Sequence, residues 1–328
     1  MTGLQIDDPS KMLRMASRLS AYLAIVTLGL GVGLIFSLRG TGVFACPAGD
    51  YAANRYIAYC GSSHYGDYDH GAFWFNLEPA AQRAASNADV LVLGNSRIQA
   101  ALSSGATDEW FSANSRSFFL LGFMYDDGMT FSGEILEKLK PKARFYVINL
   151  DHFFRSGRSE PAQFIATDGE ARSQYQAKRR WQAVHRRLCG KISALCGKKE
   201  AWFRSTDTGA YVIRSHGLIP AAVEDDTRLD GQEIRDQVAN ASPFLAKLGV
   251  PRSCIVFTMV PYKDTPVAAA AEIATALGIP LVMPRLDGLT TFDGSHLDSA
   301  SAERWSAEFL RLAGPLLAGC LDAAGPAK

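Results

Sequence analysis

Twenty consecutive residues, Leu19 to Leu38, carry no charge. As a helix such a run covers roughly 30 Å, the thickness of one hydrocarbon core, so it predicts a transmembrane helix. Arg18 and Arg39 bracket it. Lys11, Arg14 and Arg18 precede it, whereas Arg39 and Arg55 are the nearby cations on the other side. That bias favours a cytoplasmic N-terminus. The alternative is a cleaved signal peptide, with Val43-Phe44-Ala45 as a small-residue cleavage site. The length of the run, and Arg39 standing between it and that site, favour an uncleaved anchor. A lipid-modified Cys46 fits less well, because Phe44 suits such a signal poorly. The chain thus divides into a cytoplasmic N-terminus (1–18), a single span (19–38), a lead-in (39–88) and an extracytoplasmic, periplasmic-type domain (89–328).

Cysteine usage points to the same compartment. All six cysteines follow the apolar run: Cys46, Cys60, Cys189, Cys196, Cys254 and Cys320. An even count in an exported domain suggests disulfides. Short loops make Cys46–Cys60 and Cys189–Cys196 the natural pairs, leaving Cys254–Cys320; the alternative is that some are buried free thiols. The net charge of +1 gives no overall field toward nucleic acid, and no nucleic-acid partner is expected.

The domain reads as α/β. Val90-Leu91-Val92-Leu93, cut off by Gly94, reads as a buried parallel strand entering a turn. Phe145-Tyr146-Val147-Ile148, Cys254 to Thr258 and the short Pro280-Leu281-Val282-Met283 are further strands. The Ala-rich stretch Val267 to Leu277, stopped by Gly278, is a crossover helix with a C-terminal glycine. Ser299 to Ala313 has a helical pattern with Trp305, Phe309 and Leu312 on one side, and Gly314-Pro315 is expected to end it. Strands alternating with helices imply a parallel sheet. Residues 152–250 break the rhythm and read as a mainly helical insertion. Its 172–199 stretch holds nine Lys or Arg and no Asp or Glu, a basic face for an anionic polymer, for lipid headgroups, or simply for water.

Two motifs carry chemistry. Gly94-Asn95-Ser96-Arg97 closes the first strand and opens a helix. A serine there stands beyond the carboxyl end of a parallel strand, where ligands bind in open α/β sheets. It also sits at a helix N-terminus, which favours negative charge. Asp293-Gly294-Ser295-His296-Leu297 precedes the last helix. A histidine takes the proton of a serine hydroxyl when a carboxylate fixes its tautomer, and one turn brings Asp293 to His296. The plainer alternatives are a helix-capping serine and an incidental surface histidine.

Together these motifs resemble blocks I and V of the SGNH (GDSL-like) hydrolase superfamily, over roughly 90–122 and 251–312. The resemblance implies a flavodoxin-like three-layer fold, with Ser96 as nucleophile, His296 as base and Asp293 as its orienting partner. It implies an oxyanion hole from the Gly122 N–H and an asparagine side chain. The expected Gly-x-Asn-Asp is absent; Asn149, at the end of Ile148-Asn149-Leu150-Asp151-His152, is the candidate for the side chain, the alternatives being a loop-capping asparagine there and a plain loop glycine at Gly122. A GNSR first block, an altered third block and an anchor resemble the membrane-bound SGNH-like proteins of cell-surface polymer O-acylation. That likeness implies an acyl-serine intermediate passed to a glycan hydroxyl or to water, as in an O-acyltransferase or esterase needing no cofactor. The implied partners are a polysaccharide substrate and a multi-spanning membrane O-acyltransferase. The rival expectation is a catalytically weak or inactive scaffold that binds a polymer or membrane partner.

Two further clusters weigh less. His64, Asp67, Asp69 and His70 lie together as potential metal ligands, but a polar loop is the expected reading. Phe73-Trp74-Phe75 offers rings for sugar stacking, with core packing preferred.

Overall fold

The computed structural model describes residues 9–40, 42–49, 51–62, 64–124, 127–214 and 220–323. Residues 1–8 of the expected cytoplasmic N-terminus lie outside these. The helix α1 (Pro9–Gly40) contains the apolar run. Its Ser17–Ser37 segment has a mean hydropathy of 2.2 and no residue buried against the rest of the chain.

After a 3-10 turn at Gly42–Ala45 come β1 (Arg55–Cys60), β2 (Gly66–Asp67), α2 (Asp69–Trp74) and α3 (Pro79–Asn87). The next elements are β3 (Val90–Asn95), α4 (Ser96–Ala101), α5 (Gly105–Ala113), β4 (Phe118–Phe123), α6 (Met129–Leu139) and β5 (Phe145–Asn149). Residues 152–250 supply α7 (Glu160–Thr167), α8 (Ala171–Cys189), β6 (Ala201–Ser205), β7 (Tyr211–Arg214), β8 (Ala221–Ala222) and α9 (Gly231–Lys247). The chain closes with β9 (Ile255–Thr258), α10 (Val267–Leu277), β10 (Thr290–Thr291) and α11 (Ser299–Ala323).

A four-strand parallel sheet in the order β4-β3-β5-β9 forms the centre of this mixed α/β structure. Its strands are buried on both faces, which is why they read as continuous apolar runs. Alternate residues serve opposite layers. Leu91, Leu93, Phe119, Leu121, Ile148 and Phe257 pack with α3, α6, α9 and α10. Val90, Val92, Phe118, Leu120, Val147 and Val256 pack with α4, α5 and α11 around Trp305 and Phe309. Each such fully buried side chain contributes about 1.5–3 kcal/mol.

Several sequence expectations change. Phe118–Phe123, where the sequence singles out only Gly122, is the edge strand of the sheet. Pro280–Met283 is not a strand, and makes only a single bridge from Leu281 to Phe257. Helix α10 spans Val267–Leu277 as expected, with Gly278 left-handed at its end. Helix α11, by contrast, runs on through Gly314-Pro315. Leu317 and Leu321 are buried beyond the break, and Cys320 is tied to Cys254, so tertiary contacts outweigh the local breakers.

The lead-in holds regular structure. Its β1 pairs antiparallel with β6 from the insertion, giving a second sheet in the order β2-β1-β6-β7. Arg204 of β6 is fully buried and donates to the carbonyls of Leu120 and Gly122 on β4. The Leu120 N–H donates to the Thr208 carbonyl at 2.8 Å. The second sheet therefore docks on the edge of the first. Disulfides join Cys46–Cys60, Cys189–Cys196 and Cys254–Cys320, as the short loops implied.

Candidate active site

Strand β3 delivers Ser96 to the carboxyl end of the sheet. The chain turns there with Gly94 at φ 149°, and a Cβ at that position would come within 2.8 Å of Ile98 and 2.9 Å of Asn149. Only glycine fits. Asn95 caps α4 by accepting the Arg97 N–H at 3.0 Å.

The loop before α11 brings the other two residues. Gly294 takes φ 82°, and the Asp293 carboxylate accepts the N–H groups of Ser295 and His296 at 2.9 and 2.8 Å. This local turn sets Asp293 Oδ2 2.7 Å from His296 Nδ1, and His296 Nε2 2.9 Å from Ser96 Oγ. The partners assign the tautomer: Nδ1–H donates to Asp293, and Nε2 accepts the serine proton. Burial alone would raise the Asp293 carboxyl, but the hydrogen bond and charge of His296 and the two N–H groups bring it to about 2. The carboxylate therefore stays charged through the neutral range.

The imidazole is held from both sides. Phe292 stacks on it, with ring centroids 5.5 Å apart and planes at 17°. Trp202 of β6 meets it edge-on at 5.1 Å. Nothing in the sequence around Trp202 signals this role, because the strand that carries it lies far from both motifs. Ser96 is 7% exposed, so only a narrow approach remains. A cavity of about 460 Å³ lies alongside, lined by Tyr211, Arg214, Phe292, Leu297 and Glu303 among others. Phe292 belongs to both the cavity and the histidine stack.

A further set of polar residues was missed by sequence reasoning, although three of them, Asn95, Arg97 and Ser295, stand inside the motifs. Arg97 donates from Nε to Ser295 Oγ at 2.9 Å and from Nη1 to the Asp151 carboxylate. Its guanidinium lies 4.2 Å from the centre of the Tyr262 ring. Asp151 is buried and also accepts from Asn95 Nδ2 at 2.7 Å and from the Tyr262 hydroxyl at 3.4 Å. Arg97 thus ties the serine helix, the end of β5 and the Asp293–His296 loop together.

Both expected oxyanion donors have hydrogen-bond partners of their own. The Gly122 N–H donates to Gln99 Oε1 at 3.0 Å, while Gln99 Nε2 donates to the Gly209 carbonyl. Gln99 projects from α4 onto the free edge of β4 and takes up that N–H. Asn149 is fully buried, and its Oδ1 accepts the Val260 N–H at 3.1 Å. Its Nδ2 faces Asn95 Oδ1 at 3.5 Å. It braces the ends of β3, β5 and β9.

Of the acidic and histidine cluster of the lead-in, Asp67, Asp69 and His70 belong to a buried network rather than a polar loop, and His64 is exposed. His70 is fully buried between Asp67 and Asp127, and burial alone would lower its pKa. The two carboxylates instead bring it to about 10. Asp69 turns elsewhere, to Arg204, Tyr56 and Tyr211. Phe73 is buried and Trp74 stacks on Phe131, so these rings serve the core. Comparison of the chain with protein-family models, with curated proteins and with solved structures finds no match.

Proposed function

We propose that this chain is a serine-dependent acyltransferase or esterase of the SGNH type, with the flavodoxin-like three-layer arrangement of that superfamily. The observation that carries the reading is the continuous hydrogen-bonded run from Asp293 through His296 to Ser96, at 2.7 and 2.9 Å. It lies at the carboxyl end of a parallel strand, where such sheets bind ligands.

In this reading Ser96 Oγ attacks the acyl carbonyl carbon while His296 Nε2 takes the hydroxyl proton. The tetrahedral adduct collapses, and the leaving group departs with that proton. A hydroxyl of a surface polysaccharide, or water, then loses its proton to His296 and attacks the acyl-serine. The new ester or acid leaves, and the proton returns to Ser96. Asp293 orients the imidazole and stabilises its charged form without itself accepting a proton. Helix α1 holds the domain outside the cytoplasm, and the three disulfides fit that compartment. A multi-spanning membrane O-acyltransferase is the partner that would deliver the acyl group.

A second reading, an inactive scaffold of the same descent, is favoured by one observation: the Gly122 N–H is already taken by Gln99 Oε1. A missing oxyanion donor costs about 10²–10³ in rate. A serine-reactive fluorophosphonate separates the two readings. Wild-type protein should label and Ser96→Ala should not; His296→Ala should be nearly as silent, and Asp293→Ala weaker than wild type. Labelling that persists in Ser96→Ala, or wild-type protein that never labels, would favour the scaffold.

A further inference from the structure

Helix α8 has an apolar stripe that the domain leaves uncovered. Its inner face, Ala171, Tyr175, Gln182, His185 and Cys189, is buried against the domain. A quarter-turn away, Trp181, Val184 and Leu188 follow at helical spacing, with Ile192 just past the end. They are 55%, 38%, 40% and 54% exposed. Arg180 and Arg187 neighbour Val184 at four and three residues' distance, and Lys191 continues the row; all three are exposed. An isolated basic face is the ordinary solvated outcome, but an apolar stripe edged with arginine is the pattern of a helix lying in a membrane interface.

The position of the stripe selects the occupant. Helix α1 leaves its apolar span at Gly40 and meets the turn Gly42–Ala45 and the short turn Ser193–Leu195. The first of these packs on α8: Phe44 touches Trp181 edge-on, with ring centroids 6.5 Å apart. The second begins next to Ile192. Both ends of the stripe therefore adjoin elements that contact the end of the span. A groove of about 450 Å³ opens there between Val43, Phe44, Tyr65, Lys178 and Trp181. Tryptophan and arginine at such a level match the headgroup region and the anionic lipids within it.

We infer that α8 lies on the outer leaflet of the membrane, with Trp181, Val184, Leu188 and Ile192 in the headgroup–acyl boundary and its arginines on anionic headgroups. This rests on the anchor reading of α1 and is independent of the acyl-transfer chemistry. The helix then fixes the height and tilt of the domain above the bilayer, which α1 alone would leave free.

The test uses the full chain reconstituted in vesicles of phosphatidylcholine, with or without phosphatidylglycerol, carrying a shallow-brominated lipid. Of the five tryptophans, Trp181 is the exposed one. Brominated lipid should quench wild-type emission, and Trp181→Phe should lose that component. Phosphatidylglycerol should increase the quenching, and Arg180→Glu with Arg187→Glu should cancel the increase. A chain that does not float with vesicles would overturn both the anchor reading and this inference. A chain that floats while Trp181 stays open to acrylamide and unquenched by bromine would overturn this inference alone. Shielding of Trp181 in native membranes but not in vesicles would assign the stripe to a protein partner and would also overturn it.

Discussion

Replacing Arg97 by alanine should destabilise the protein through a charge it leaves behind, rather than through a contact it removes. The Asp151 side chain is 0% exposed and that of Arg97 is 14% exposed. Without the guanidinium, the carboxylate keeps Asn95 Nδ2 at 2.7 Å, the distant Tyr262 hydroxyl and His152 Nε2 at 3.8 Å. Stripping one partner from a buried ion pair costs about 3–5 kcal/mol. The surviving Asn95 bond places Arg97→Ala at the lower end, about 3 kcal/mol, or a fall of about 6 °C or more in melting temperature. Asp151→Asn should cost less, because the arginine it frees has access to water. The double variant Arg97→Ala/Asp151→Asn should then be more stable than Arg97→Ala alone. Thermal melts of the full chain in one detergent, read as a double-mutant cycle, measure this coupling. A double variant that melts no higher than Arg97→Ala refutes the buried-charge argument. The proposed acyl transfer should fall as well in Arg97→Ala, since the Ser295 tether to the Asp293–His296 loop is lost.

Two other perturbations test separate parts of the structure. His70, raised to about 10 by Asp67 and Asp127, contributes stability in full below its unfolded pKa of about 6.5. That contribution is lost as pH rises from there through about 10, so wild-type melting temperature should fall over this window by more than that of His70→Gln. The Cys254–Cys320 bridge closes a separation of 66 residues, for which the chain-entropy model gives about 4 kcal/mol. Cys254→Ser with Cys320→Ser should lower the melting temperature and speed hydrogen exchange beyond Pro315; unreduced, denatured wild type should titrate no thiols, and six would contradict the pairing.

How much of this is legible in the sequence depends on the range of the interactions. Val90 to Leu93 is buried on both faces, so its burial is written in four consecutive side chains. Gly278 ends α10 through a left-handed turn that needs no distant partner. The motifs at Ser96 and His296 are legible because each is a local turn, and the order of strands brings the two turns to one end of the sheet. The β1–β6 pairing is different, because Arg55–Cys60 finds Ala201–Ser205 across most of the domain. Neither segment alternates cleanly, since Arg204 points inward to Asp69. Gly122 carries the same lesson at the site: a glycine at a strand end signals a free N–H, but Gln99, which takes it, is an ordinary helix residue in sequence. Gly314-Pro315 reads as a helix end because the forces that override it, Leu317 in the core and Cys320 on Cys254, come from elsewhere.

The docking of the second sheet on β4 also sets a timetable for biogenesis. Strands β3 and β4 are synthesised early, with the outer edge of β4 open to any passing strand. The groups that close it, Arg204 and the Thr208 carbonyl, emerge more than 80 residues after Leu120. Strand β1 waits longer still for β6. Throughout that interval the outer edge of β4 and the β6-facing edge of β1 stay unpaired. Late closure by residues 201–214 leaves a chain truncated before them with these edges exposed and prone to aggregate.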